Sequence, residues 1–90
     1  MAMKYFAAYS KMLDVETNNR YRGDHVDYLK KLGEEGHIFA KGKFSDGAGG
    51  LVIYKGNSSE DVKRLVEGDP YIIQGARSYE IHPWDMNLID

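Results

Sequence analysis

Cysteine is absent from this chain, and its absence removes two ways of stabilising a small protein. Neither a disulfide framework nor a thiolate metal site can form. A chain of 90 residues buries only about 60–65% of the surface that its unfolded form exposes, so its own core is marginal. Oligomerisation is the remaining remedy, and we expect a homodimer. The lack of cysteine also fits a reducing compartment, and we expect a cytoplasmic protein.

Long apolar runs and an excess of positive charge are lacking as well. The longest apolar stretches, such as Leu51–Tyr54, are four or five residues long, whereas a membrane-spanning helix needs about 20. The chain has 12 basic and 14 acidic residues, without the dense basic stripe that binds phosphates. The first residues lack the charged and apolar regions of a signal peptide. We therefore expect neither a membrane nor a nucleic acid as a partner.

What is present is an alternation of apolar patterns and turn residues. Apolar residues recur at alternate positions in the strand segments and at three- to four-residue spacing in the helix segments. Ser58 and Asp61 form a capping-box pattern at the start of the second helix, and Gly68 ends that helix. The predicted elements are strands over 3–10, 37–44, 51–55 and 76–82, helices over 20–35 and 58–68, and a polar loop over 11–19.

The predicted order of strand, helix, strand, strand, helix and strand is the ferredoxin-like βαββαβ pattern of an α+β fold. We expect a single domain over residues 1–90, with a four-stranded antiparallel sheet and two helices on one face. The opposite face carries tyrosine, phenylalanine, isoleucine or valine from several strands. Because an exposed apolar patch of that size usually marks an interface, we expect the homodimer to pack sheet against sheet.

His25 and Asp69 are the pair of residues with the most direct chemistry. A carboxylate beside a histidine fixes the tautomer of the imidazole, which can then move protons at neutral pH. Each residue also has a structural interpretation. His25 fits a helix histidine at the rim of the core, and Asp69 fits the N-cap of a short helical turn with Pro70 at its first position. The two roles of Asp69 are compatible, because a carboxylate has two oxygens.

The predicted topology bears on whether this pair can meet. We expect the two helices to run in the same direction, with His25 early in the first helix and Asp69 after the end of the second. These points then lie at opposite ends of the helical layer. A contact requires the turn over 69–73 to fold back across the sheet, or a second subunit to supply one partner.

Three further residues are candidates for holding a substrate. Arg22 lies three residues before the histidine on the same helix face, where it can bind a carboxylate or phenolate through two hydrogen bonds. It also fits an ordinary surface arginine. Ser78 and Tyr79 lie in the last strand, and we expect one of them, with Ser78 as the candidate, to line a pocket. Tyr71 adds a hydroxyl after the Asp-Pro pair.

Taken together, the motifs resemble the YciI-like proteins, the YCII-related domain family, over roughly residues 4–84. The matching pieces are Arg22-x-x-His25 followed by Tyr28-Leu29, Gly36 before Gly42, Gly49-Gly50, Asp69-Pro70-Tyr71, and Glu80-Ile81-His82-Pro83-Trp84. The resemblance implies a ferredoxin-like dimeric α+β barrel and an active site centred on a histidine and an aspartate, which correspond to His25 and Asp69. It also implies that the fold admits lyase chemistry, because one relative is associated with a dehydrochlorinase of chlorinated aromatic breakdown.

Two functional hypotheses result. The first is a small cofactor-free enzyme in which His25 is a general acid and base, Asp69 orients it, and Arg22 or a tyrosine hydroxyl holds an anionic or phenolic substrate. Elimination, isomerisation and hydrolysis would all use these groups. The second is a non-catalytic dimer that binds a small ligand or a partner domain. We expect no metal, since the three histidines lack the spacing of metal ligands.

Overall fold

The structure, a computed structural model, describes residues 4–89, so the predicted start of the first strand at residue 3 lies outside the described residues. The strands are β1 (Lys4–Met12), β2 (Ile38–Lys43), β3 (Gly49–Gly56) and β4 (Arg77–Trp84), and the helices are α1 (Val15–Glu34), α2 (Ser59–Glu67) and the short α3 (Pro70–Ile73). The strands form one antiparallel sheet in the order β2-β3-β1-β4. The predicted ferredoxin-like α+β fold is confirmed. None of the helices within the described range is long and apolar enough to cross a membrane.

Alternation along β1 explains why the helices pack on one face of the sheet. Phe6 and Ala8 are buried, whereas the residues on either side of them are only half-buried or exposed. The buried strand residues pack against the apolar stripes of α1 and α2, and together they form the core. The core cluster consists of Phe6, Ala8, Leu29, Leu32, Tyr54, Val62 and Val66.

Helix α1 begins at Val15, five residues before the predicted start at Arg20, so the polar loop predicted there is wrong. Asp14 is the N-cap, and its carboxylate accepts hydrogen bonds from the backbone N–H groups of Glu16 and Thr17 at 3.1 and 3.4 Å. The first turn of α1 is polar, and it therefore lacks the apolar spacing that indicates a helix in a sequence.

Strand pairing fixes the directions of the two long helices. Met12, the last residue of β1, pairs with Arg77, the first residue of β4. Helix α1 leaves the sheet at this end and α2 returns the chain to it, so the two helices run antiparallel. The expectation that they run in the same direction is wrong, because β1 and β4 are antiparallel neighbours. The start of α1 and the end of α2 therefore lie at the same end of the helical layer.

The turn after α2 has the local structure predicted for it. Asp69 is the N-cap of α3 and accepts a hydrogen bond from the Tyr71 N–H at 3.0 Å, with Pro70 at the first helical position. Gly75 has a φ of +74°, a conformation that a residue with a side chain rarely adopts, and the chain turns there into β4. A capped turn therefore holds the Asp69 carboxylate at the end of α2.

The face of the sheet opposite the helices is rich in aromatic side chains. Tyr5 and Phe39 pack edge to face with ring centroids 5.3 Å apart, and the ring of Tyr9 lies 5.8 Å from that of Phe44. Phe39 and Trp84 are 42% and 45% exposed. We call this surface the open face, since no helix among residues 4–89 packs on it.

Candidate active site

His25 and Asp69 contact each other within one chain. The Nδ1 atom of His25 lies 2.8 Å from Asp69 Oδ1 and 3.0 Å from Oδ2. The side chains are 16% and 10% exposed, so little water competes for the bond. Because an ionised carboxylate can only accept hydrogen bonds, Nδ1 carries the hydrogen, and Nε2 is the unprotonated nitrogen of the neutral ring.

The helix arrangement explains why the two residues meet. The early start of α1 puts His25 near the middle of that helix, and the antiparallel α2 brings Asp69 to the same region. Helix α1 packs against α3, whose N-cap is Asp69. Oδ1 of this carboxylate accepts from the Tyr71 N–H as well as facing the imidazole. Asp69 is therefore both a cap and the partner of His25, and the contact needs no second subunit.

Tyr71 contributes its ring to the site. The ring lies 3.9 Å from the His25 imidazole, centroid to centroid, with 16° between the planes. Cζ of Arg77 lies 4.3 Å from the centroid of the same ring. Each face of a ring has room for one planar group at such distances, so the imidazole and the guanidinium occupy opposite faces of Tyr71. The three side chains form a stack in which Tyr71 is 3% exposed.

Arg77 is a residue of the site that no sequence pattern indicated. Its Nε donates to Asn18 Oδ1 at 2.8 Å, and its Nη1 donates to Ser10 Oγ at 3.1 Å. Burial lowers the pKa of the guanidinium from its ordinary value, although arginine stays protonated at neutral pH. The two acceptors lie 59 and 67 positions away along the chain, so only the folded sheet brings the three residues together.

Gly50 makes room for the Arg77 side chain. A Cβ atom at this position would lie 3.1 Å from Arg77 Nη1 and 2.9 Å from the carbonyl oxygen of Gly42. A glycine inside a strand often marks such a close approach. Gly50 therefore lets the Arg77 guanidinium approach the backbone of β3 closely.

One cavity of about 350 Å³ between α1 and the sheet joins these residues. Its wall includes His25, Asp69, Tyr71 and Arg77, together with Ser10 and Asn18. The size is that of a site for a small molecule, and apolar side chains such as Leu29 and Val52 complete the wall.

The other two predicted binding residues differ in their relation to this cavity. Arg22 lines it and is exposed, which puts this arginine at the rim. Ser78 does not line it, so the expectation for this residue is wrong. Arg77 and Tyr79, on either side of Ser78, line the cavity, and the alternation of side chains along β4 turns Ser78 toward the open face.

Two tyrosines lie near the Asp69 carboxylate. Burial and, second to it, the charge of Asp69 raise the pKa of Tyr54 and of Tyr28. Tyr28 donates a hydrogen bond to the carbonyl oxygen of Leu65 at 2.7 Å, whereas Tyr54 lines the cavity. Both are neutral hydroxyls at neutral pH, and neither is a base.

Two comparisons relate the sequence to known proteins. A family model described as the YCII-related domain matches residues 3–85. The uncharacterized protein YjpA of Bacillus subtilis (strain 168) is 26% identical over 69 residues, which are 77% of this chain and 81% of that protein. The family match thus spans nearly the whole chain.

A solved structure with a similar fold is that of an enzyme. It is the 5-chloro-2-hydroxyhydroquinone dehydrochlorinase (TftG) from Burkholderia phenoliruptrix AC1100, in complex with 2,5-dihydroxybenzoquinone. The two structures have a TM-score of 0.79 and 21% sequence identity, and the match covers 92% of this chain and 95% of that chain. At this identity the similarity concerns the fold.

Proposed function

We propose that this chain, which belongs to the YCII-related domain family, is a small enzyme in which His25 acts as general acid and base. In this proposal Asp69 orients the imidazole, and the reaction needs no cofactor. One observation carries it, the 2.8 Å contact between His25 Nδ1 and the Asp69 carboxylate at the wall of a cavity. A histidine held by a carboxylate beside a space for a small molecule is an arrangement that acid–base catalysis uses.

The two nitrogens of His25 have different roles in this proposal. Nδ1 donates to Asp69, which leaves Nε2 free to accept a proton from the substrate. As the proton arrives the ring becomes a cation, and the carboxylate 2.8 Å away stabilises it. The protonated Nε2 then returns the proton to a leaving group or to another atom of the substrate. General acid–base catalysis of this kind typically contributes about 10²–10⁴-fold to a rate.

Elimination, isomerisation and hydrolysis all need this proton transfer. The structural neighbour TftG is a dehydrochlorinase, and its structure holds 2,5-dihydroxybenzoquinone. We therefore propose a small anionic or phenolic substrate, with lyase chemistry as the first reaction to test. Tyr71, stacked on the imidazole, and Arg22, exposed at the rim, are the predicted residues that fit substrate binding.

Turnover by a His25 variant tests this proposal. Chloride release from 5-chloro-2-hydroxyhydroquinone and related chlorinated phenols is measured for the wild-type protein and for His25→Ala. The variant is expected to lose about 10²–10⁴-fold in turnover, because Nε2 is the group that moves the proton. The ring is not part of the core cluster, so the variant should fold, but the loss of its contact with Asp69 should lower the melting temperature, and turnover is compared well below it.

His37→Ala is the matched control, because the His37 side chain is 40% exposed before β2 and does not line the cavity. This variant should keep wild-type turnover. Full turnover by His25→Ala, or equal losses in the two variants, would contradict the proposal. Wild-type protein that binds such a phenol in the cavity without converting it would instead support the second hypothesis, a non-catalytic ligand-binding module.

We also propose that two copies of the chain pair through their open faces. This surface carries Tyr5, Tyr9, Phe39, Phe44 and Trp84. Contiguous apolar surface of this kind usually marks an interface, and a chain of 90 residues gains from the added burial. Packing sheet against sheet would bury the same patch on both copies.

A further inference from the structure

The charged side chains of the cavity wall are nearly all positive. Among the residues that the structure describes, the wall includes four cations, Arg22, Lys41, Lys43 and Arg77, and one carboxylate, Asp69. The whole chain has 12 basic and 14 acidic residues, so positive charge is concentrated at this surface. The neutral imidazole does not cancel the charge of Asp69, but four cations against one carboxylate leave the wall positive, and its field favours an anion.

Arg77 differs from the other three cations. They are exposed, whereas Arg77 is half-buried. It donates to the neutral side chains of Asn18 and Ser10, and no carboxylate within residues 4–89 forms an ion pair with it. Asp69 lies beyond ion-pair distance and compensates this half-buried charge only in part, so a negative group that enters the cavity gains most beside Arg77.

The guanidinium keeps donors for such a group. Five N–H bonds lie in its plane, and the contacts to Asn18 and Ser10 use one from Nε and one from Nη1. The second hydrogen of Nη1 and both hydrogens of Nη2 remain. A pair of parallel N–H groups matches the two oxygens of a carboxylate.

The Tyr71 ring sets the distance between this anion site and the proton-transfer site. It separates Arg77 from His25, with one group on each of its faces. The imidazole centroid lies 3.9 Å from the Tyr71 centroid, and Arg77 Cζ lies 4.3 Å from it. A molecule at the edge of the ring that contacts both groups must therefore span this width. A single aromatic or short aliphatic acid has this size.

We propose that Arg77 binds the anionic group of the substrate, a planar group such as a carboxylate in which two oxygens share one charge. The atom that exchanges its proton with His25 then lies a few bonds from that group. The inference rests on the proposed function for the reacting end of the molecule, whereas the binding of the anion does not depend on catalysis. Arg77, and not the predicted Arg22, is the residue that selects for charge.

Binding of benzoate and of its neutral isostere benzamide tests this inference without turnover. Both are titrated into the full chain and followed by ¹H–¹⁵N NMR. The wild-type protein should bind benzoate at least about tenfold more tightly, because a bidentate charged pair forms only with the anion. Arg77→Met should lose the preference. Lys41→Met, the matched control at an exposed cation of the same wall, should keep the preference to within about twofold.

A second measurement keeps the inference testable if Arg77→Met does not fold. In the wild-type protein, NOEs are expected between the benzoate ring and the side chains of Tyr71 and Val52, which line the cavity. The inference is overturned if the wild-type protein shows no preference, if Arg77→Met keeps it, if Lys41→Met abolishes it, or if the NOEs lie elsewhere.

His25→Ala separates this inference from the proposed function. The variant should keep the preference for benzoate, because the hydrogen bonds of Arg77 to Asn18 and Ser10 do not involve His25. Turnover that depends on His25, with no charge preference at Arg77, would contradict the anion site alone. A charge preference at Arg77, with turnover that does not depend on His25, would contradict the acid–base proposal alone.

Discussion

The two faces of the sheet divide alternate residues of the same strands between different environments. On the helix side of β1, Phe6 and Ala8 are core residues, and Ser10 next on that face accepts a hydrogen bond from Arg77. On the open face, Tyr5 and Tyr9 pack against other aromatic rings. A shift of one residue in register would exchange the two sets, so the period of two fixes both surfaces at once.

The helix-side face of the sheet changes from apolar to polar along β1. It carries the buried apolar residues Phe6 and Ala8 along most of β1, and near the end of the strand it becomes the polar wall of the cavity. The change coincides with the end of the sheet where α1 begins and α2 ends. The residues of the candidate site meet there because the antiparallel helices bring their polar residues to the same end as the start of β4.

The largest effect should come from the core side of β1. Phe6→Ala removes a side chain that is 2% exposed and should lower the free energy of unfolding by about 3–5 kcal/mol. Tyr5→Ala, one residue away on the open face, should remove mainly the part of the stability that depends on protein concentration. Urea denaturation at several concentrations measures both. Equal, concentration-independent losses would contradict the division of the two faces.

A charge on the open face should have the next largest effect. Phe39→Lys puts an ammonium group in the proposed dimer interface, at an expected cost of about 3 kcal/mol, or roughly a hundredfold in the dimer dissociation constant. Leu13→Lys is the matched control, because Leu13 is 59% exposed and precedes α1. Light scattering after size-exclusion chromatography gives the mass. A wild-type monomer, or a Phe39→Lys dimer as strong as the wild type, would contradict sheet-against-sheet pairing.

The smallest effect concerns the buried hydroxyl at the cavity wall and depends on pH. Burial raises the pKa of Tyr54 above its ordinary value of 10.0, so the folded protein holds this proton where the unfolded chain releases it. The resulting stability is present below pH 10.0 and falls as the pH rises above it, by up to about 1.4 kcal/mol per pH unit.

Tyr54→Phe should reduce this loss of stability, and Tyr21→Phe, which keeps the buried hydroxyl, should leave it unchanged. Chemical denaturation at pH 8 and pH 11 measures the difference. If the stability of Tyr54→Phe falls between these two pH values as steeply as that of the wild type, the Tyr54 hydroxyl is not buried as the structure describes.

Much of the fold and one half of the site could be predicted from local patterns. The strand periods, the Ser58 cap and the Asp69-Pro70 turn depend on neighbouring residues, and the structure has them as predicted. The start of α1 could not be predicted from apolar spacing, because its first turn is polar and depends on the Asp14 cap. A search for N-cap residues alone would have suggested it.

The rest of the site depends on long-range pairing that no local pattern encodes. Arg77 meets Ser10 only through the register of β1 with β4, and Gly50 allows this contact through a strand that pairs on the other side of β1. The error for Ser78 is of another kind. The strand was predicted correctly, but a local pattern does not tell which of its alternate residues face the helices. Tyr79 and Ile81 pack against the core, so Ser78 and Glu80 point to the other face.

The tautomer of His25 tests the central claim most directly. A long-range ¹H–¹⁵N spectrum, recorded at a pH where the ring is neutral, distinguishes a protonated Nδ1 from a protonated Nε2. The structure predicts that Nδ1 carries the hydrogen in the wild-type protein, because Asp69 accepts it at 2.8 Å, and that Asp69→Ala removes this preference. A ring protonated at Nε2, or a spectrum that Asp69→Ala does not change, would contradict the account.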